Sequence, residues 1–222
     1  MGKLIVLEGL DGSGKSTQLE LLKEEFKKKN IDFKSVSFPA YELESCAPVK
    51  MYLGGEFGSA PGDVNAYAAS LLYAVDRFAS YKKDWGKDYE NGSVILAGRY
   101  VTSNAIHQAS KLKKEDWTPF VDWLYDLEYE KVGIPKPDLV IYLNVPVEAS
   151  QKLLSDRYSG DEEKKDIHEK DTEYLSACRR AASFVAEKSG WTVVECYKNG
   201  EMKSREDILQ EIINIIDEEL FR

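Results

Sequence analysis

Gly9-Leu10-Asp11-Gly12-Ser13-Gly14-Lys15-Ser16-Thr17 is the stretch on which the reading of this chain turns. It matches G-x-x-x-x-G-K-[ST] at every position. The apolar run at residues 3–7 suits a buried strand, and residues 16–30 have helical composition and spacing. Strand, glycine loop and helix in that order make a phosphate cradle. Glycines let backbone N–H groups turn toward a polyphosphate, and the helix start adds the positive end of its dipole. Lys15 reaches toward the β- and γ-phosphates, and the Ser16 hydroxyl can ligate Mg²⁺.

Working outward, the helix after the loop carries Leu19, Leu22 and Phe26 at helical spacing and ends in Lys27-Lys28-Lys29-Asn30, with cations near its negative pole. Residues 31–38 read as a second strand, stopped at Phe38-Pro39. An aromatic residue at a strand's carboxyl end sits where open α/β sheets bind ligands, so Phe38 is a site residue or core packing. A short helix fits residues 44–53, and a long one fits about 63–83 with Asp63 as N-cap. The long helix has one continuous apolar stripe: Val64, Tyr67, Ala68, Leu71, Leu72, Val75, Phe78 and Ala79. Tyr73 and Arg77 lie opposite that stripe, four residues apart and beside the small Ala66, Ala69 and Ser80. Such a pair can hold a planar ring and a phosphate, or form an exposed cation–π contact.

Residues 93–97 read as a buried strand delivering Gly98-Arg99-Tyr100, where P-loop enzymes usually place an Asp that helps hold Mg²⁺. A helix over 102–111 brings Asn104, His107 and Gln108 near one another, with His107 a candidate for the pocket wall. A helix over 115–132 is rich in large aromatics, as in a deep core or a surface for a partner helix. A strand at 139–145 leads to a helix ending near 155, then to a polar, mixed-charge stretch at 156–166. That stretch is a solvated linker or a lid carrying Arg157 into a site. A helix at 169–188, a strand at 191–196 and an amphipathic helix capped by Ser204 complete the chain. Five short apolar strands alternating with helices specify an α/β fold, a parallel sheet covered on both faces.

The 222 residues suit one domain spanning 1–222. With 39 acidic against 30 basic residues, the net charge of -9 argues against a protein that grips nucleic acid or an anionic membrane. Cys46, Cys178 and Cys196 show no metal-ligand spacing, and an odd count suits a reducing cytosol. No signal peptide precedes the first strand and no apolar run is long enough to cross a bilayer. The expectation is a cytoplasmic protein.

Taken together, the motifs resemble the thymidylate kinase family of P-loop nucleoside monophosphate kinases, over nearly the whole chain in order. The resemblance rests on Glu8-Gly9-Leu10-Asp11-Gly12-Ser13-Gly14-Lys15-Ser16-Thr17, Phe38-Pro39, Tyr73-Ala74-Val75-Asp76-Arg77, Arg99-Tyr100-Val101-Thr102-Ser103-Asn104, Leu143-Asn144-Val145-Pro146 and Asp166 to Glu169. It implies a three-layer P-loop fold with strand order 2-3-1-4-5, and transfer of the γ-phosphoryl of ATP to dTMP for dTTP synthesis. Gly9, Asp11, Gly12, Ser13, Gly14, Lys15, Ser16 and Thr17 become the ATP-binding residues, with Mg²⁺ on Ser16. Asp11 would also accept from the sugar 3′-hydroxyl, Tyr73 stack on thymine, Arg77 serve the pyrimidine, Arg99 hold the monophosphate, and Asn104 and Gln108 read the base edge. Phe38 and His107 join the dTMP-binding set, and 197–200 lies where adenine is cradled. Lys15, Arg99 and Arg157 would carry the catalysis, with Arg157 on a mobile lid at about 156–168. It is needed there because Gly12 stands where some members carry an arginine. The family also suggests a homodimer formed through helices, the aromatic helix from 115 being one candidate surface.

The chain departs from the family at two positions. Gly98 replaces a usual Asp, and His107 stands where Tyr is common. Weakened metal positioning is the expected result of the first, and an altered sugar side of the pocket that of the second. Two other functions fit the motifs: a kinase for another deoxynucleoside monophosphate, or a nucleotide-binding regulatory module.

Overall fold

A computed structural model describes residues 1–60, 62–157 and 172–220, the side chains at 156, 157 and 172 excepted. Alternation along β1 (Lys3–Glu8) sets the layers. Leu4 and Val6 point into one core with Ile95, Ala97 and Val140, while Ile5 and Leu7 point into another with Leu96, Ile141 and Leu143. A strand with both faces buried must lie inside a sheet that is covered twice, and only a parallel sheet fed by crossover helices gives that.

The chain continues through α1 (Lys15–Lys28), β2 (Phe33–Ser37), α2 (Ala47–Leu53), α3 (Ala66–Ser80), α4 (Gly86–Glu90), β3 (Val94–Gly98), α5 (Val101–His107) and α6 (Trp117–Tyr125). It ends with β4 (Leu139–Asn144), α7 (Val147–Arg157), α8 (Thr172–Ser189), β5 (Thr192–Glu195), a hairpin of β6 (Tyr197–Lys198) and β7 (Glu201–Met202), and α9 (Arg205–Leu220). The main sheet has order β2-β3-β1-β4-β5 with every pairing parallel. On one face, α1 buries Leu19, Leu22 and Phe26 beside Ile208, Ile212 and Ile216 of α9. On the other, Trp85, Phe120, Leu124 and Val185 come from helical segments across the middle of the chain. Each large apolar side chain buried this way contributes about 1.5–3 kcal/mol. The sheet order leaves a crevice at the carboxyl ends of β1 and β3, where ligands bind in folds of this kind.

The expected elements are all present, with shifted ends. The long helix starts later than expected, because Asn65 rather than Asp63 caps it: the Asn65 side chain accepts from Ala68 N at 2.9 Å. A π-helical turn, Tyr81–Trp85, then carries α3 into α4. The aromatic helix likewise runs from α6 into a π-helical segment, Asp126–Val132, closed by Gly133 at φ 76°. Ser204 accepts from Asp207 N at 3.0 Å and caps α9 as expected. The β6–β7 hairpin was not expected. None of the described helices is long and apolar enough to cross a membrane.

The largest departure is the direction in which α3 faces. Its apolar stripe points outward, with Tyr67 42%, Leu71 48%, Val75 56% and Phe78 40% exposed. The buried side is the small and polar strip: Ala66, Ala69, Ser70, Ala74, Asp76, Arg77 and Ser80. Periodicity locates an apolar face but does not say which face the core claims, and here the polar face has partners that satisfy it.

Candidate active site

The glycine loop leaves β1 and enters α1 in the shape its sequence requires. Gly14 has φ 85° and nothing lies within 4 Å of where its Cβ would be, so its backbone is open to the crevice. Gly12 has φ 76°, and a Cβ there would come within 2.3 Å of Ser150 O in α7. Only glycine suits either position. Ser13 N donates to Leu10 O at 3.1 Å, closing the turn, and Lys15 Nζ reaches back across it to Leu10 O at 2.8 Å.

The loop opens onto a cavity of about 1090 Å³. Asp11, Gly12, Ser13, Gly14, Lys15, Ser16 and Thr17 line one side of it. Phe38, Tyr73, Arg77, Arg99, Asn104, His107 and Gln108 line the same cavity from β2, α3 and the segment after β3. Gly9 does not line it; it lies beneath the loop, where a Cβ would meet Ser13 Oγ at 2.5 Å. The lid expected at about 156–168 falls, from residue 158 on and with the side chain of Arg157, outside the described residues. Met202, Lys203 and Arg205 complete the wall beyond α1, and Gln18 Nε2 anchors that corner by donating to Arg205 O at 3.0 Å.

Arg99 stands at the centre, in the left-handed region at φ 66°. Its Nη2 donates to Asp11 Oδ1 at 2.5 Å, so the phosphate loop and the end of β3 are joined by an ion pair. Its Nη1 donates to Ser103 Oγ at 3.3 Å and meets His107 Nε2 at 3.1 Å. A guanidinium only donates, so His107 Nε2 accepts and the ring proton sits on Nδ1, which faces Cys178 Sγ at 3.5 Å. Burial pushes the Cys178 thiol up to about 11, so it serves as a neutral partner. Burial works against ionisation of Asp11, but the charges of Arg99 and Lys15 hold its carboxyl well below the usual carboxylate range. Burial likewise opposes the Arg99 charge, and Asp11 and Glu8 outweigh it and keep the guanidinium protonated.

The α3 side of the cavity is built differently. Arg77 is buried and pairs with Glu128, so it is not the exposed cation–π contact that its sequence position also allowed. Its neighbour Asp76 faces elsewhere, accepting from Ala40 N at 2.8 Å and Ser45 Oγ at 3.3 Å to hold the turn after Phe38. Phe38 is both core and wall: its ring meets Tyr100 at 5.7 Å, and it lines the cavity. Tyr73 is set edge-on against Tyr52 at 6.2 Å. Asn104 Nδ2 donates to Ser70 O at 3.3 Å, whereas both amide atoms of the fully buried Gln108 lack a hydrogen-bond partner among the described residues.

Three carboxylates that the sequence reading gave no role support these residues. Glu8 is wholly buried and accepts from Gly9 N at 2.9 Å and from the Thr102 and Ser103 hydroxyls at 2.7 Å each. Asp76 and Glu128 are the others. Glu8 and Asp76 lie inside the motif stretches Glu8–Thr17 and Tyr73–Arg77, a usable signal; Glu128 lies in no such stretch.

For a divalent cation the described residues offer oxygen donors sparingly. Among the described residues no group of three or more His, Cys, Asp or Glu could hold a metal. Ser16 is exposed at the start of α1, Asp11 is engaged by Arg99, and Gly98 contributes no side chain. That donor set fits Mg²⁺ arriving with a nucleotide, held by Ser16, phosphate oxygens and waters.

A family model described as thymidylate kinase matches residues 7–208. The thymidylate kinase of Mycobacterium tuberculosis is 31% identical over 174 residues, covering 77% of this chain and 79% of that protein. The probable thymidylate kinase of Thermococcus onnurineus is 35% identical over 157 residues, covering 69% and 71% respectively. A solved thymidylate kinase from Candida albicans shares the fold, with a TM-score of 0.72 at 22% identity over 98% of this chain and 92% of that one. By sequence match along most of its length, the chain belongs to the thymidylate kinase family.

Proposed function

We propose that the chain transfers the γ-phosphoryl group of ATP to the phosphate of dTMP, giving dTDP and ADP. Membership of the family supports the reaction, and one structural observation carries the reading of the site. The Asp11–Arg99 ion pair joins the donor loop to the acceptor wall within a single cavity large enough for two nucleotides.

A nucleoside monophosphate is mostly dianionic at neutral pH, its second pKa being about 6, so its oxygen is already nucleophilic and needs no general base. That oxygen forms the new bond to the γ-phosphorus as the bond to the β-phosphate oxygen breaks, and ADP leaves with the electron pair. The protein's work is positioning and charge neutralisation. Lys15 and the loop N–H groups hold the donor, Arg99 holds the acceptor phosphate, and Arg157 at the end of α7 is assigned to the transferring group. Mg²⁺ bound with ATP supplies further charge neutralisation on the donor phosphates. On the base side, Asn104 commits its Nδ2 to Ser70 O, which leaves its carbonyl oxygen for a ring N3–H. Gln108 has both amide atoms to offer, and Tyr73 is the stacking platform. The adenine cradle expected at 197–200 is displaced by a few residues in this reading: Met202, Lys203 and Arg205, just beyond it, line the cavity and form the adenine wall.

The outward stripe of α3 supports a homodimer, because four large apolar side chains along one helix face are a surface that a second copy would cover. Trp117, Phe120 and Leu124 of the aromatic helix are buried in the core, which leaves α3 as the better interface. Three buried free cysteines and the acidic balance support a cytoplasmic location.

A panel of dTMP, dUMP, dCMP, dAMP and dGMP with MgATP, read as diphosphate formed, tests the reading. The highest kcat/KM is expected for dTMP. Diphosphate formed chiefly from another acceptor makes the chain a kinase of that nucleotide. Binding without diphosphate from any acceptor makes it a regulatory module, the alternative that the absent carboxylate at Gly98 keeps open.

A further inference from the structure

Arg77 stands in the cavity wall with its charge met from behind. Its Nε donates to Glu128 Oε2 at 2.7 Å, its Nη2 donates to Glu128 Oε1, and its Nη1 reaches Tyr100 O at 3.5 Å. Both side chains are out of solvent, Arg77 with 1% of its surface exposed and Glu128 with 0%. Burial opposes the Arg77 charge and Glu128 more than restores it, so the guanidinium stays protonated. A guanidinium carries five N–H donors in a planar fork that cannot flex. Among the described residues two go to Glu128 and one to Tyr100, which leaves one on each terminal nitrogen. Whatever ring edge meets them must offer an acceptor.

Glu128 owes its place to the π-helical segment Asp126–Val132. Its own carbonyl accepts from Ile134 N at 3.1 Å as the chain leaves that segment, so the residue is held by backbone as well as by burial. It touches neither the phosphate loop nor Arg99 in any hydrogen bond of the described residues. Its effect on a ligand passes through Arg77.

We infer that Glu128 is a positioning residue that sets base selectivity, holding the Arg77 fork so that its remaining donors meet a ring carbonyl. The site then favours a pyrimidine with oxygen at C4 over one with an amino group, because an amino group would set N–H against N–H in a wall that water does not reach. The inference rests on the acceptor reading given above and names the residue behind its selectivity.

The test compares wild type, Glu128→Gln and Glu128→Asp for KM and kcat with dTMP and dCMP, KM for ATP, and melting temperature. Gln keeps one acceptor but turns an N–H toward the guanidinium, so KM for dTMP is expected to rise about tenfold with KM for ATP within about twofold. The dTMP-to-dCMP ratio of kcat/KM falls at least about tenfold. Asp keeps the charge one methylene further back and gives an intermediate ratio; it carries the test alone if the Gln variant does not fold. A wild-type ratio in either folded variant overturns the inference and leaves the acceptor reading standing. So does an equal loss for ATP and dTMP, which would make Glu128 merely structural. A wild-type chain with no preference for dTMP over dCMP overturns both.

Discussion

Gly98 ends β3 with a hydrogen atom where the family resemblance implies a carboxylate. A Cβ built there would lie 3.1 Å from Leu19 Cδ2 and 3.5 Å from Ser37 Oγ, so a side chain fits with a small movement of a flexible leucine. Gly98→Asp is therefore expected to fold and to tighten the metal requirement, lowering the Mg²⁺ concentration for half-maximal turnover about tenfold. A Mn²⁺ titration in the presence of ADP should shift in parallel. Identical curves for the two proteins would mean that the carboxylate is not missed. Asp11 yields a prediction in pH. Its folded pKa is depressed, so its ionised pairing stabilises the fold fully above the ordinary Asp value of about 3.9 and is lost as pH falls toward the folded value. The difference in unfolding free energy between wild type and Asp11→Asn should hold steady from neutrality to about pH 5 and shrink below about pH 4. Urea titrations at stepped pH measure it.

Among the elements, α3 separates what a sequence pattern can tell from what it cannot. The stripe from Tyr67 to Phe78 was legible as a stripe, but its direction was not. Direction depends on Glu128, 51 residues away, and on the turn after Phe38 that Asp76 holds. Once those partners satisfy the polar face, the apolar face is left outside. Leu71→Glu with Val75→Glu should then leave the monomer folded and abolish self-association, seen as a sedimentation coefficient that no longer rises with concentration. A wild-type protein that is monomeric at every concentration would remove α3 from that role. The Arg77–Glu128 pair also has a stability signature. Glu128→Ala strands a buried cation and is expected to cost about 3–5 kcal/mol, whereas replacing both residues by apolar ones of similar size should cost far less. Denaturant midpoints of the single and double variants distinguish these cases.

At the scale of the whole molecule, the parallel sheet and the glycine loop were legible because their signals are local. Leu4 to Leu7 is apolar on both faces, and the loop's spacing is a property of nine consecutive residues. The supporting shell was not, because its bonds span the chain: Glu8 reaches Thr102, and His107 reaches Cys178. Helix α7 is another long-range element, packing Ser150 against the phosphate loop at one end and finishing at Arg157. Arg157→Ala is expected to lower kcat at least about tenfold with little change in KM for dTMP, since a contact made to the transferring group strengthens in the transition state. A loss confined to KM would reassign the residue.

The same packing constrains how this chain can change by descent. A Cβ at position 12 would collide with Ser150 O at 2.3 Å, and the backbone there sits at φ 76°. An arginine in the loop and a helix seated against it are thus alternative solutions, with no viable intermediate by substitution at position 12 alone. A saturation library at that codon should return glycine almost exclusively. A loop arginine becomes accessible only after α7 has been displaced, so the seat of that helix, and not the loop, is what would have to change first.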